Sequence, residues 1–119
     1  MSEIRVHFPK TGNPIVMPDP EAVVTGRTFT WVIRSENPKI SVVKIEFAKG
    51  EKYFPNNSGG DSVCQKPLIK DEASIWAVAP AVGESNAPEP AKYTVYGLTT
   101  MNGSEVAKLD PKILPTDPP

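Results

Sequence analysis

The sequence predicts an all-β fold, and three observations carry that prediction. Apolar and polar residues alternate with a period of two over several short runs. β-branched residues dominate the clearest of these runs, where no 3.6-residue pattern fits. Fourteen prolines and eight glycines punctuate 119 residues, which favours turns and opposes long helices. Turn signals recur every 8–12 residues or so, the spacing of a sandwich or barrel.

The chain is organised around Val23 to Phe47, two alternating runs flanking a short polar turn. Before it, Glu3 to Phe8 predicts a first strand with Ile4, Val6 and Phe8 inward. Pro9 to Pro14 is a loop. Ile15-Val16-Met17 is a short extended patch stopped by Pro18-Asp19-Pro20, a sequence suited to an edge strand or a sheet crossover. Glu21 to Val24 leads into the central pair, and Gly26 fits a turn that needs positive φ.

In the first central run, Thr25 to Arg34, Phe29, Trp31 and Ile33 share one face, and Thr28, Thr30 and Val32 the other. Ser35-Glu36-Asn37-Pro38 breaks it. In the second, Ile40 to Phe47, Val43, Ile45 and Phe47 alternate with Val42, Lys44 and Glu46.

Ala48 to Pro67 reads as one long irregular stretch, dense in loop residues from Phe54 to Asp61 and pinned by Tyr53 and Phe54. A short strand is expected around Leu68 and Ile69. A clearer one spans Ala73 to Ala79, with Ile75, Ala77 and Ala79 opposite Trp76 and Val78. Pro80 to Pro90 is a second long loop. Ala91 to Thr99 is a strong strand, followed by an Asn102-Gly103 hairpin turn. Val106 to Leu109 returns, Asp110-Pro111 interrupts, and Ile113-Leu114 resumes. Pro115 to Pro119 reads as a proline-rich tail with no place in a central strand. The expectation is one domain, 1–119, of about seven or eight strands.

Together these residues resemble a cupredoxin-like Greek-key β-sandwich. The resemblance rests on the early strand Ile4 to Phe8, the run Val23 to Trp31, Val43 to Phe47 followed by Phe54-Pro55, Lys92 to Tyr96, and Leu109 to Leu114. An immunoglobulin-like sandwich is the close competitor, although the paired cysteines of antibody domains are absent. Copper-bearing cupredoxins take two histidines, a cysteine and usually a methionine to their metal. The matching loop here, Thr99 to Gly103, offers Met101 but neither histidine nor cysteine. The resemblance therefore implies the fold without the copper, since that site needs both imidazoles and the thiolate.

Charge and motifs narrow the function by exclusion. A net charge of −1 gives no electrostatic case for nucleic acid or an anionic membrane. No apolar run reaches membrane-span length, and the first residues lack a signal peptide's apolar core, so a cytoplasmic location is expected. With one cysteine, Cys64, no internal disulfide forms. Cys64 is read as an ordinary free thiol in a polar loop, its pKa somewhat lowered by Lys66. His7 is read as a surface or rim residue. The carboxylates are scattered, Ser62 and Ser74 lie in no nucleophile elbow, and Gly59-Gly60 is no phosphate loop. Tyr53, Trp76 and Tyr96 are expected to be exposed but form no basic stacking platform.

The expected function is non-enzymatic: a binding or protein-interaction module, with another protein as partner and the long loops as its binding elements. No catalytic, cofactor or metal residues are assigned. One alternative is a small redox or metal-binding protein using Cys64, His7 and Met101. Another is a structural subunit that pairs an edge strand with a second copy.

Overall fold

A computed structural model describes residues 2–48, 51–54, 62–80 and 91–116. Among these residues there are ten strands and no helix. They are β1 (Ser2–Phe8), β2 (Ile15–Met17), β3 (Glu21–Val24), β4 (Thr28–Ser35), β5 (Val42–Phe47), β6 (Val63–Pro67), β7 (Glu72–Val78), β8 (Ala91–Leu98), β9 (Glu105–Leu109) and β10 (Lys112–Thr116). They form an all-β sandwich of two sheets. The first runs β2-β1-β4-β7; the second runs β3-β10-β8-β5-β6, with β9 also paired to β8. Both are mixed, because β1 lies parallel to β4 and β3 parallel to β10.

The period-two pattern sets the core. Ile4, Val6 and Phe8 of β1 and Phe29, Trp31 and Ile33 of β4 are all buried on one face. Val43, Ile45 and Phe47 of β5 meet them from the second sheet, with Tyr93 and Val95 of β8. Six aromatic rings crowd the centre. Trp31 lies 5.0 Å from Phe29, 5.5 Å from Tyr93 and 5.8 Å from Phe54, centroid to centroid. Its indole N–H donates to the Tyr93 hydroxyl at 3.2 Å. Tyr53 stacks flat on Phe47 at 3.8 Å.

Several expectations hold in detail. Ile15–Met17 is an edge strand, and Pro18-Asp19-Pro20 carries the chain from the first sheet to the second, with cis bonds at Met17–Pro18 and Asp19–Pro20. Gly26 has φ of 79°, and its N–H donates to Ala79 O at 3.0 Å. The hairpin between β8 and β9 turns at Asn102, φ 55°.

Other expectations need correction. The central pair, β4 and β5, is not one unit: the strands lie in different sheets, and β5 pairs with β6 and β8 instead. The Ala48 to Pro67 stretch is not irregular throughout, since Val63–Pro67 is the edge strand β6. Leu68 and Ile69 form no strand. Ile69 bridges Glu72 across a two-residue turn in which Lys70 and Asp71 have φ of 53° and 66°.

The tail begins later than expected, because Pro115 and Thr116 complete β10. Thr116 turns its carbonyl to the Thr25 N–H at 2.9 Å. Pro115 therefore turns its nitrogen the other way, toward the β8 side, where the register between described residues runs to Ile113 and Ala91. Among the described residues the missing donor costs no ladder bond. The loop residues 55–61 and 81–90 lie outside the described residues.

The buried tyrosines set an alkaline limit. Burial, then the Glu51 charge, pushes the Tyr53 hydroxyl pKa well up. Burial does the same to Tyr93, partly offset by its Trp31 hydrogen bond and reinforced by Asp19 and Glu21. Both keep their protons in the folded state above roughly pH 10, where unfolded tyrosines ionise. Stability from these groups is thus complete below that pH and falls above it, by about 1.4 kcal/mol per pH unit per group. Among the described residues the Tyr53 hydroxyl also has no hydrogen-bond partner. Tyr53→Phe should accordingly raise stability at pH 7 by about 1 kcal/mol and flatten the alkaline slope. Urea unfolding at pH 7, 10 and 11 measures both; an unchanged slope refutes the assignment.

Candidate interaction face

The outer face of the first sheet collects side chains that the core leaves behind. Residues that alternate with buried ones must point outward. On β1 these are Glu3, Arg5 and His7; on β4, Thr28, Thr30, Val32 and Arg34; on β7, Glu72, Ser74 and Trp76. Ile15 and Met17 come from β2 on the same side.

Register aligns them in rows across the strands. One row is Met17, Arg5, Val32 and Ser74; the next is Ile15, His7, Arg34 and Glu72; a third is Glu3, Thr30 and Trp76. Met17 is 64% exposed, Ile15 53%, and Val32 and Trp76 40% each. Single exposed apolar residues are ordinary, whereas several on one face beside charged groups mark a contact surface. A depression of about 660 Å³ runs over this face, with Arg5, His7, Val32, Arg34, Glu72 and Ser74 in its lining. The His7 Nε2 lies 3.2 Å from Glu36 Oε2, and Arg5 Nε lies 3.3 Å from Glu3 Oε1. Arg34 sits directly across from Glu72 in the ladder. Both signs therefore alternate over the face, which disfavours a simple anion or cation as its ligand.

The residues weighed for chemistry do not converge. His7 is a half-exposed rim residue on the outer face, as expected. Cys64 is not in a polar loop: it lies on β6, half-buried, packed against the core opposite Ile45. Burial raises its thiol pKa, and the opposing pull of Lys66 is the smaller effect, which corrects the expected lowering. Met101 is exposed in the β8–β9 turn, which Gln65 fastens to β6 through Asn102 at 2.7 and 2.9 Å. The three thus occupy an outer face, an inner face and a turn, on β1, on β6 and between β8 and β9. Among the described residues no group of three or more His, Cys, Asp or Glu is placed to hold a metal ion.

Of the aromatic residues expected at the surface, Trp76 is exposed and Tyr96 is partly so, held by Lys44 at 4.9 Å from its ring. Tyr53 is fully buried. It pins its segment, as expected of it and of Phe54, by accepting from Val78 N–H at 3.0 Å and stacking on Phe47. The outward positions Val32 and Trp76 were legible as the polar-side faces of their runs. That β2, β1, β4 and β7 lie side by side was not, because pattern sets a residue's face and not its strand's neighbour.

No helix among the described residues is long and apolar enough to cross a membrane. In comparison with known proteins, no family model matches the chain and no curated protein matches it.

Proposed function

We propose that this chain is a non-enzymatic interaction module, on a copper-free cupredoxin-like sandwich, that docks another protein in the cytoplasm. The observation that supports it is the outer face of the first sheet, where Ile15, Met17, Val32 and Trp76 stand exposed among paired charges. Such a face offers both apolar and charge-selective contacts, with Val32 on an inner strand and Ile15, Met17 and Trp76 on the two edge strands. Redox or metal chemistry by Cys64, His7 and Met101 has the weaker support, since they lie on three separate surfaces.

A photo-crosslinking residue placed at Val32 in the cells that make the protein should yield a discrete protein adduct. Met17→Glu should abolish it. Adducts equally strong from a control position at Tyr96, on the other sheet, would overturn the assignment of the face. Copper(II) added to pure protein should give no intense visible band. A band lost in both His7→Ala and Cys64→Ser would make the redox reading the leading one.

A further inference from the structure

Among the described residues, the outer edge of β7 is open only in its middle. Backbone groups of alternate strand residues point to alternate sides. Glu72 N–H donates to Ile69 O at 3.1 Å, and Val78 N–H donates to Tyr53 O at 3.0 Å, so the even-numbered residues of β7 turn away from β4. Lys66 Nζ confirms this parity by donating to Ser74 O at 2.7 Å. Between the two occupied ends stand the Ser74 N–H and both backbone groups of Trp76, without partners among the described residues.

Beside this gap, between β7 and β6, lies a crevice of about 280 Å³ lined by Phe54, Cys64, Lys66, Ile75 and Trp76. Its lining is more apolar than polar, and Lys66 is joined by Gln65 and Ser74 as its polar members. A strand laid along β7 would pair its residues with Ser74 and Trp76. The residue between them, opposite Ile75, would then point inward, into the crevice.

We propose that this site receives a short extended peptide segment of a partner protein as an added strand. The segment presents an apolar side chain to the crevice and an acidic one to Lys66. The proposal rests on the interaction-module reading but not on the outer face assigned to it. Main-chain bonds supply the attachment, and the crevice supplies selectivity. A second copy of this chain fits less well. Pairing β7 with itself about Ile75 would bring the partner copy's Glu72 turn onto the position that Tyr53 occupies beside Val78. A free peptide can leave the edge at both ends. Lys66, reaching to Ser74 O, is the kind of edge charge that discourages indiscriminate pairing.

Random heptapeptides displayed on phage, selected on the immobilised full chain, provide the test. Recovered peptides should centre on an apolar residue. Once synthesised, they should shift the amide resonances of Ser74, Ile75 and Trp76 and slow exchange of the Ser74 and Trp76 amides at least tenfold. N-methylation of the peptide amide that faces Trp76 O should abolish binding, whatever the protein variant. Ser74→Pro should weaken binding at least tenfold while melting within a few degrees of the parent, since this N–H faces away from the ladder. Failure to recover any binding peptide overturns the proposal, as does binding indifferent to N-methylation. Shifts confined to Met17, Arg5 and Val32 also overturn it, yet leave the outer-face reading standing. Concentration-dependent protection of Ser74 and Trp76 in the protein alone would replace the peptide with a second copy.

Discussion

Trp31→Ala is expected to unfold most of the protein at 37 °C. Trp31 is fully buried and lies within 6.2 Å, centroid to centroid, of four other rings. Truncating a buried Trp costs about 3–5 kcal/mol. The Tyr93 hydroxyl, which accepts from the indole N–H, then loses its partner inside the core, adding roughly 1–3 kcal/mol. The total approaches or exceeds the lower part of the 5–15 kcal/mol range, roughly, that holds a domain together. Trp31→Phe keeps the ring contacts and loses the hydrogen bond, so it should fall between parent and alanine variant. Thermal melts by near-ultraviolet circular dichroism separate the three. An alanine variant that melts within two or so degrees of the parent would place Trp31 outside the core.

The next largest effect belongs to a residue with no side chain. Gly97, on β8, faces the first sheet. A Cβ there would run into Ile40 Cδ1, and would stand 2.9 Å from Ile40 Cγ1 and 3.0 Å from Phe8 Cε1. Phe8 is buried on β1, so the sheets approach each other over this glycine, where the β8–β9 register also shifts. Gly97→Val should destabilise by about 3 kcal/mol, the upper end for overpacking. Ile40 can give way by moving the end of its side chain, whereas Phe8 is held on all sides. Ile40→Ala should therefore recover part of the loss in the double variant, a coupling of roughly 1 kcal/mol. Strict additivity in denaturant titrations would show that Gly97 acts through its backbone and not through space.

These residues also show what was legible beforehand. Alternation placed Phe29, Trp31 and Ile33 inside and Val32 outside, because a strand's faces follow from its own sequence. The separation of β4 from β5 was not legible: Ser35 to Pro38 interrupts a strand equally well for a hairpin or for a crossing between sheets. β6 was hidden for a different reason. Val63-Cys64-Gln65-Lys66-Pro67 has almost no alternation, and pairing with β5 makes it a strand. Pro115 counted as a breaker, yet it extends β10: its nitrogen turns away from β3, and among the described residues no acceptor stands across from it. The β7 site was invisible for the same reason, since it consists of backbone groups that every residue has.

The parallel pairing of β3 with β10 also bears on how fast this chain folds. Among the strands, β3 has only β10 beside it, and Glu21 must wait for Ile113. β5 likewise finds Leu98 and Gly97 only after the intervening chain has closed a long loop. Such distant pairings carry their entropic cost before any contact rewards it, which sets refolding in the range of milliseconds to seconds, roughly. Until β10 docks, Glu21 to Val24 has no paired strand among the described residues. Pulse-labelling exchange should therefore find the β3 amides among the last to be protected.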